Sequence, residues 1–333
     1  MAKMVQLYLG SVMCDRYQLE QFISCGGFGQ VYLAKDLHTH NIFAAKIETL
    51  NCNFPLLMKE AECMRELDMF AKQQRCDKIP QFYGFGTTGD FRYLWMELLG
   101  KNVRELKKST PVDRFSVGTS LWICKQMLLA TEFLHRNGWI HRDIKPANFC
   151  LSYFGPRRLV LVDFGTTEKH NSHQKMYGFC GTERYASLRT HQRLSAHPND
   201  DLWGVYYIAV ENMNSRLLWR DASSRENIAS IKRSIQENSQ IIQGQVPDPC
   251  FITVTPPPSS MKSFFHMLLE ENAKDSGFKH DVLVSEINRD FGTINFNENV
   301  SYLDWEMPKY VTNTNSFGSL VPVSYYFSPS MPR

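Results

Sequence analysis

The sequence predicts an α+β protein of two unequal parts: a small β-rich N-terminal portion with one main helix, and a larger, mostly helical C-terminal portion. Three observations carry this. Short runs of the first hundred residues alternate apolar and polar side chains, the two-residue period of half-buried strands. Beyond residue 100 the apolar spacing becomes helical. The chain, at 333 residues, is longer than one small core requires.

In order, residues 17–35 (YQLEQFISCGGFGQVYLAK) flank a glycine cluster with alternating runs and read as strand, tight turn and strand. Asn41–Thr49 reads as a third strand, with Lys46 projecting from it. Leu57, Ala61, Met64 and Leu67 recur at helical spacing and predict a helix over Phe54–Lys72. Ile79–Gly84 and Phe91–Leu98 read as two more strands, which makes five strands and one helix. Val117–Asn137 follows as a long amphipathic helix with Leu121, Cys124, Leu128 and Phe133 roughly on one face. A loop-rich stretch runs to about residue 187, and Asp201 to about Met213 forms a further apolar helix. The proline-rich run Val246–Ser260 breaks helices on either side, and Met261–Asn272 restores the helical pattern. Pro308–Arg333 mixes Ser, Pro, Asn and aromatics without period and reads as a tail.

Composition narrows the class. With 43% hydrophobic and 21% charged residues the chain is an ordinary globular one. A net charge of +3 gives no global field to recruit nucleic acid or an anionic membrane. The nine cysteines are odd in number, widely spaced and never paired as C-x-x-C, which suits free thiols in a reducing compartment. Neither a signal peptide nor an apolar run of about 20 residues is visible. The expectation is a soluble protein of the cytoplasm or nucleus, monomeric, with no nucleic-acid or membrane partner.

Four clusters carry chemistry. In Cys25–Val31 small residues between two strands let backbone N–H groups approach phosphate oxygens, which only accept; a plain hairpin turn is the alternative for this cluster alone. Lys46 follows Phe43-Ala44-Ala45, the V-A-I-K pattern of a third strand. A lysine on the inner side of a strand is costly without a carboxylate, and Glu60 on the next helix is the natural one. His141-Arg142-Asp143-Ile144-Lys145-Pro146-Ala147-Asn148 matches H-R-D-[LI]-K-P-x-N along its length. Fifteen residues after Asn148 comes Asp163-Phe164-Gly165, ending an apolar strand.

On these residues the chain resembles the eukaryotic protein kinases from about Tyr17 to about Glu306, and so their bilobal fold. Within them it is similar to the casein kinase 1 superfamily, through the hinge Met96-Glu97-Leu98-Leu99-Gly100 and through Gly181-Thr182-Glu183-Arg184-Tyr185-Ala186-Ser187, which stands where most kinases carry A-P-E. It is closest to the tau-tubulin kinase branch, through the GGFG turn, Asp200-Asp201-Leu202-Trp203, Leu217-Leu218-Trp219-Arg220, Ser230-Ile231-Lys232 and Leu303-Asp304-Trp305-Glu306.

The resemblance implies an N-terminal extension over 1–16, a kinase domain over 17–306 (N-lobe about 17–97, C-lobe about 101–306) and a tail over 307–333. It implies a serine/threonine kinase using ATP and Mg²⁺ on protein substrates, favouring acidic or already phosphorylated sites. A pseudokinase scaffold is the competing class. Gly26 and Gly29 would cover the phosphates, with Val31 and Ala44 as apolar roof and Leu151 as floor. Met96 would be the gatekeeper, and the adenine would bond the hinge around Glu97 and Leu99. Lys46, positioned by Glu60, would hold the α- and β-phosphates, and Asn148 and Asp163 the metal. Asp143 would accept or orient the proton of the substrate hydroxyl, and Lys145, the mark of a serine/threonine enzyme, would contact the transferring phosphate. Asp201 would tie down the catalytic loop. Arg184 would meet substrate acids, with Arg220 and Arg225 as weaker candidates.

Three positions depart from the family pattern. Ser24 replaces the first loop glycine, Thr166-Thr167 follow DFG where Leu-Ala is usual, and Glu270–Tyr302 is polar and matches poorly. Arg142 could answer a phosphate on Thr166, Thr167, Ser172, Tyr177 or Thr182. The family usually needs none, so constitutive competence is expected.

Overall fold

Of the chain, the computed structural model describes residues 7–26, 29–52, 55–170, 178–241, 250–251, 253–254, 256–274 and 278–306. Gly27, Phe28, Ser172, Tyr177 and the expected tail over 307–333 lie outside the described residues.

The N-terminal portion is one antiparallel sheet in the order β1-β2-β3-β4-β6-β5. Its strands are β1 (Val12–Met13), β2 (Tyr17–Gly26), β3 (Gly29–Asp36), β4 (Ile42–Thr49), β5 (Phe82–Thr88) and β6 (Phe91–Met96). Gly29 closes the β2–β3 hairpin at φ +138°, where an added Cβ would stand 2.7 Å from the carbonyl oxygen of Ile47. Between β4 and β5 runs α1 (Leu56–Gln74), which buries Leu57, Ala61, Met64 and Leu67, the four positions its period singles out.

The fifth strand starts three residues later than the sequence suggests. Pro80 has no N–H to give a ladder, Ile79 is buried in the core, and the Lys78 carbonyl accepts from Leu161 N. The stretch before Phe82 therefore joins the two portions instead of extending the sheet. The short β1 is a strand the pattern did not announce.

The C-terminal portion continues with β7 (Leu99–Asn102), α2 (Val103–Lys108), α3 (Val117–Arg136), β8 (Trp139–Ile140), β9 (Phe149–Ser152), β10 (Leu159–Leu161) and β11 (Glu168–Lys169). It closes with α4 (Leu188–His191), α5 (Pro198–Asn214), α6 (Arg225–Ile241), α7 (Ser259–Lys274) and α8 (His280–Thr293). Thus the expected loop-rich stretch carries four short strands, of which β9 and β10 complete a sheet with β7, while β8 and β11 pair with each other.

Helix α3 is not amphipathic. It is buried from Gly118 to Leu128 without a break, because α5, α8 and β10 all pack around it. Its polar groups are absorbed inside: the Lys125 Nζ reaches Asn288 Oδ1 at 2.8 Å and Glu298 Oε1 at 2.7 Å. The poorly matching stretch after Glu270 is part of the same core. Leu283, Ile287 and Phe291 of α8 are buried, and Asp290 caps α7 by accepting from the Ser260 amide at 2.9 Å. Leu303 is fully buried, and Trp305 packs on Phe115 and Trp122 at 5.6 and 6.2 Å. Asp304 accepts from the hydroxyl of Ser116, the N-cap of α3, at 2.8 Å.

One continuous core runs from Leu57 of α1 through α3 and α5 to Leu303. A second, smaller cluster of Met13, Leu19, Tyr32, Ala34, Ala45, Ile47 and Trp95 lies on the N-terminal sheet. Alternation along β4 assigns Ala45 and Ile47 to that face and leaves Ala44 and Lys46 for the opposite one, toward α1.

Candidate active site

Register places four expected residues on one sheet face. Val31 is paired with Lys46 and Ala44 with Met96, while Ala44 and Lys46 are two apart on β4. On that face the buried Lys46 Nζ meets Glu60 Oε2 at 2.6 Å and Asp163 Oδ1 at 2.9 Å. Burial alone would discharge the ammonium, but Glu60 and Asp163 outweigh it and hold its pKa above the ordinary lysine value. Burial likewise works against the Asp163 carboxylate, yet Lys46 keeps its pKa below the usual range. Two carboxylates thus face one ammonium, leaving a negative charge on the more open group, Asp163.

Asp163 sits at φ +70° and Arg142 at φ +71°, left-handed conformations that non-glycine residues rarely adopt. Such strain persists where the surroundings over-determine it. For Arg142 the cause is Asp201, buried at the start of α5. Its carboxylate accepts from the His141 and Arg142 amides at 2.8 Å each and bonds His135 Nε2 at 2.9 Å. Burial would raise the Asp201 pKa; His135 and the amides bring it below the ordinary value instead.

For Asp163 the surrounding turn is latched by its neighbours. Thr166 donates to the His141 carbonyl at 3.0 Å, and Thr167 to the Phe164 carbonyl at 2.6 Å. Of the two threonines that depart from the family pattern, Thr166 therefore ties the Asp163–Gly165 turn to the segment that holds His141, and Thr167 closes the turn on itself. Phe164 is fully buried against His141, 5.7 Å between ring centroids.

Within the loop, Asp143 is held on three sides. Lys145 Nζ stands 2.5 Å from its Oδ2, the Thr182 hydroxyl donates to its Oδ1 at 2.7 Å, and Asn148 Nδ2 donates to its carbonyl at 2.9 Å. The Asn148 amide oxygen is left as that side chain's remaining acceptor. Thr182 is a contact that sequence reasoning missed; it figured there only as a possible phosphate acceptor. The preceding Gly181, at φ +97°, would place a Cβ 2.4 Å from the Arg142 carbonyl oxygen, so only glycine brings this segment onto the loop.

Arg142 is paired with the Glu168 carboxylate of β11. In the hinge, the Glu97 amide donates to the Gln81 carbonyl at 3.0 Å and its carboxylate pairs with Arg158. Leu99 pairs with Ser152, beside Leu151. Gly26 and Gly29 face each other across the hairpin.

Arg184 follows Thr182 as expected, but its guanidinium leans on the buried Glu211 at 3.7 Å. The weaker candidates separate. Arg184 and Arg220 both act on the Lys107 ammonium, whereas Arg225 lies over the Phe179 ring, 5.1 Å from its centroid.

Residues 17–276 match the family model of the protein kinase domain. A Caenorhabditis elegans protein named as a casein kinase I is 33% identical over 240 residues, which cover 68% of this chain and 69% of that protein. A Dictyostelium discoideum protein named as a serine/threonine-protein kinase is 29% identical over 233 residues, 67% of this chain and 46% of that one. The chain thus spans about half the length of the second relative. Among solved structures, vaccinia related kinase 3 superposes with a TM-score of 0.71 at 18% identity, covering 89% of this chain and 94% of the other. At that identity the likeness is one of fold.

Proposed function

Because this chain belongs to the protein kinase family, we propose that it transfers the γ-phosphoryl group of ATP to serine or threonine hydroxyls of proteins, as a member of the casein kinase 1 group nearest the tau-tubulin kinase branch. The observation that carries the reading is the state of Asp143. Its two carboxylate oxygens are engaged by Lys145 and Thr182, one from the catalytic loop and one from the segment expected to line the substrate groove.

In this reading the substrate hydroxyl gives its proton to Asp143 as its oxygen bonds the γ-phosphorus, and the bond from that phosphorus to the β-bridging oxygen breaks. Lys145 and Thr182 orient the base, and Lys145 also balances charge on the moving phosphoryl group. Lys46, fixed by Glu60, holds the α- and β-phosphates. Most of the rate gain is positioning and charge balance.

Asn148 and Asp163 suit Mg²⁺, since both offer oxygen and Asp163 brings the unbalanced charge. Among the described residues no group of three or more His, Cys, Asp or Glu side chains could hold a metal unaided, so the nucleotide phosphates would supply the rest of the shell. When bound, the ion neutralises charge on those phosphates. Adenine would lie between Val31 and Ala44 above and Leu151 below, beside Met96. The Glu97 amide is already given to Gln81, which leaves the Glu97 carbonyl and Leu99 as the hinge contacts. Gly26 and Gly29 would cover the phosphates.

The domain would run over 17–306, since the core continues to Leu303 beyond the matched residues. Arg184, with Arg220 as a second candidate near the same Lys107, would meet an acidic or phosphorylated substrate side chain bidentately, once released from Glu211. No described helix is long and apolar enough to cross a membrane. We read the protein as a monomer of the cytoplasm or nucleus that acts on other proteins and takes neither nucleic acid nor membrane.

The test is incubation with labelled ATP, Mg²⁺ and casein. Label on casein supports the reading. Nucleotide binding without transfer would move the protein to the scaffold class.

A further inference from the structure

The segment Glu183–Ala186 is held from beneath by its own backbone carbonyls. Lys232, in the middle of α6, is fully buried and donates from Nζ to the Glu183 carbonyl at 3.0 Å and to the Ala186 carbonyl at 2.6 Å. The intervening Arg184 carbonyl accepts from the indole Nε1 of Trp219 at 2.9 Å. The Lys232 ammonium also lies over two ring faces, 4.8 Å from the centroid of Tyr207 and 5.0 Å from that of Trp219.

Lys232 is an unusual residue for such a place. A buried lysine ordinarily requires a carboxylate, but the Lys232 Nζ hydrogen-bonds only to neutral acceptors, two carbonyls and the Nε2 of His191 at 3.4 Å, and lies against two ring faces, while the Glu183 carboxylate acts on it through space alone. Burial pulls its pKa well below the ordinary value. A methionine or leucine would fill the volume at far lower desolvation cost. What only the ammonium supplies is several hydrogen bonds radiating from one point, and they end on the chain that follows Thr182. Most kinases have the A-P-E carboxylate at the end of this segment; here Ala186 and Ser187 stand there, so no acid of that motif can anchor it.

We propose that Lys232 and Trp219 form a backbone clamp that sets the height and orientation of the substrate-binding segment, making Lys232 a positioning residue for the protein substrate. With the carbonyls of residues 183, 184 and 186 drawn inward, the Glu183 side chain is exposed and that of Arg184 half-exposed, which is the arrangement needed to read residues flanking the acceptor. None of the hydrogen bonds and ring contacts of the clamp described above involves Lys46, Glu60, Asp163 or the hinge. This inference rests on the kinase reading.

The test uses the full chain and two variants, Lys232→Met and Trp219→Phe. The first keeps the length of the side chain and removes its donors; the second keeps a ring and removes the N–H. Steady-state kinetics with ATP and a casein peptide are paired with hydrogen exchange at the amides of residues 182–187. For Lys232→Met we expect peptide KM to rise about tenfold, ATP KM to stay within twofold, and exchange in the segment to accelerate while that of α3 is unchanged. Trp219→Phe should move the same readouts in the same direction by about threefold. Equal rises in both KM values would assign Lys232 to general stability and overturn the proposal, as would unchanged exchange and unchanged peptide KM. If Lys232→Met does not fold, Trp219→Phe decides. If the unaltered protein transfers no phosphate, the kinase reading fails, while accelerated exchange in the variants would still uphold the clamp and unchanged exchange would still remove it.

Discussion

The hydroxyl of Thr182 donates to Oδ1 of Asp143 at 2.7 Å, across 39 residues of chain. In the proposed mechanism the bond would make the aim of Asp143 as base depend on the seating of the segment that carries Thr182. Thr182→Val keeps the shape and removes the donor. It should lower kcat by about tenfold, the order expected for misorienting rather than deleting a base, with ATP KM unchanged. Thr182→Ser should restore most of the loss. An unaltered kcat in the valine variant would show that Lys145 alone suffices to aim the carboxylate.

The Lys46 triad predicts an asymmetric pattern of instability. Lys46→Met leaves Glu60 and Asp163 facing each other without a cation, and breaking a buried pair from one side costs about 3–5 kcal/mol. Both transfer and thermal stability should drop. Adding Glu60→Gln to Lys46→Met should recover stability without recovering transfer. Calorimetry and the transfer assay, run on the single and double variants, separate the two effects. A double variant no more stable than the single one would contradict the charge balance drawn here.

Because Arg142 is paired with Glu168, the site has a fixed carboxylate as the partner that a phosphate would otherwise supply. Protein shown by mass spectrometry to carry no phosphate should be fully active, and Glu168→Gln should reduce its activity several-fold. Strict dependence on a phosphorylated segment would sink this reading.

Two half-buried histidines set an acid limit on stability. His191 and His280 are both pushed down to about 4, by burial first and then by electrostatic influence, from Lys232 for the former and from His135 for the latter. An unfolded histidine takes its proton near 6.5. Between these values the unfolded chain binds more protons, so stability is complete above about pH 6.5 and falls as the pH drops toward 4. His280 contributes on the order of 3 kcal/mol to that fall, and His191, which is more open to screening by solvent, contributes less. Urea unfolding at pH 7 and pH 4.5 should show the loss, and His280→Gln should shrink it. A pH-independent free energy over this window would rule the mechanism out.

How much of this was legible in the sequence depended on how local each relation is. His141 to Asn148 is one contiguous motif, and the Lys46–Glu60 partnership follows from a strand lysine that demands a carboxylate; the structure brings both together. The bond between Thr182 and Asp143 has no local signature, so Thr182 registered only as a modifiable hydroxyl. Helix α3 looked amphipathic because Lys125 and Gln126 resemble surface residues, yet Lys125 is consumed by Asn288 and Glu298. Helix α6 has no counterpart among the expected elements although Ile228, Ile231 and Ile235 recur along it at helical spacing; its Lys232 and Gln236 read as surface residues in the sequence but are buried. The pattern over Ile79–Gly84 starts the strand three residues before Phe82, because periodicity does not register that Pro80 lacks a donor.

The central claim is that Asp143 acts as the base in phosphoryl transfer to serine or threonine. It is tested most directly by comparing the unaltered chain with Asp143→Asn, using labelled ATP, Mg²⁺ and casein, followed by phosphoamino-acid analysis. The predicted result is label on serine or threonine, reduced by at least about 100-fold in the variant. Equal labelling by both proteins, or label confined to tyrosine, would contradict it.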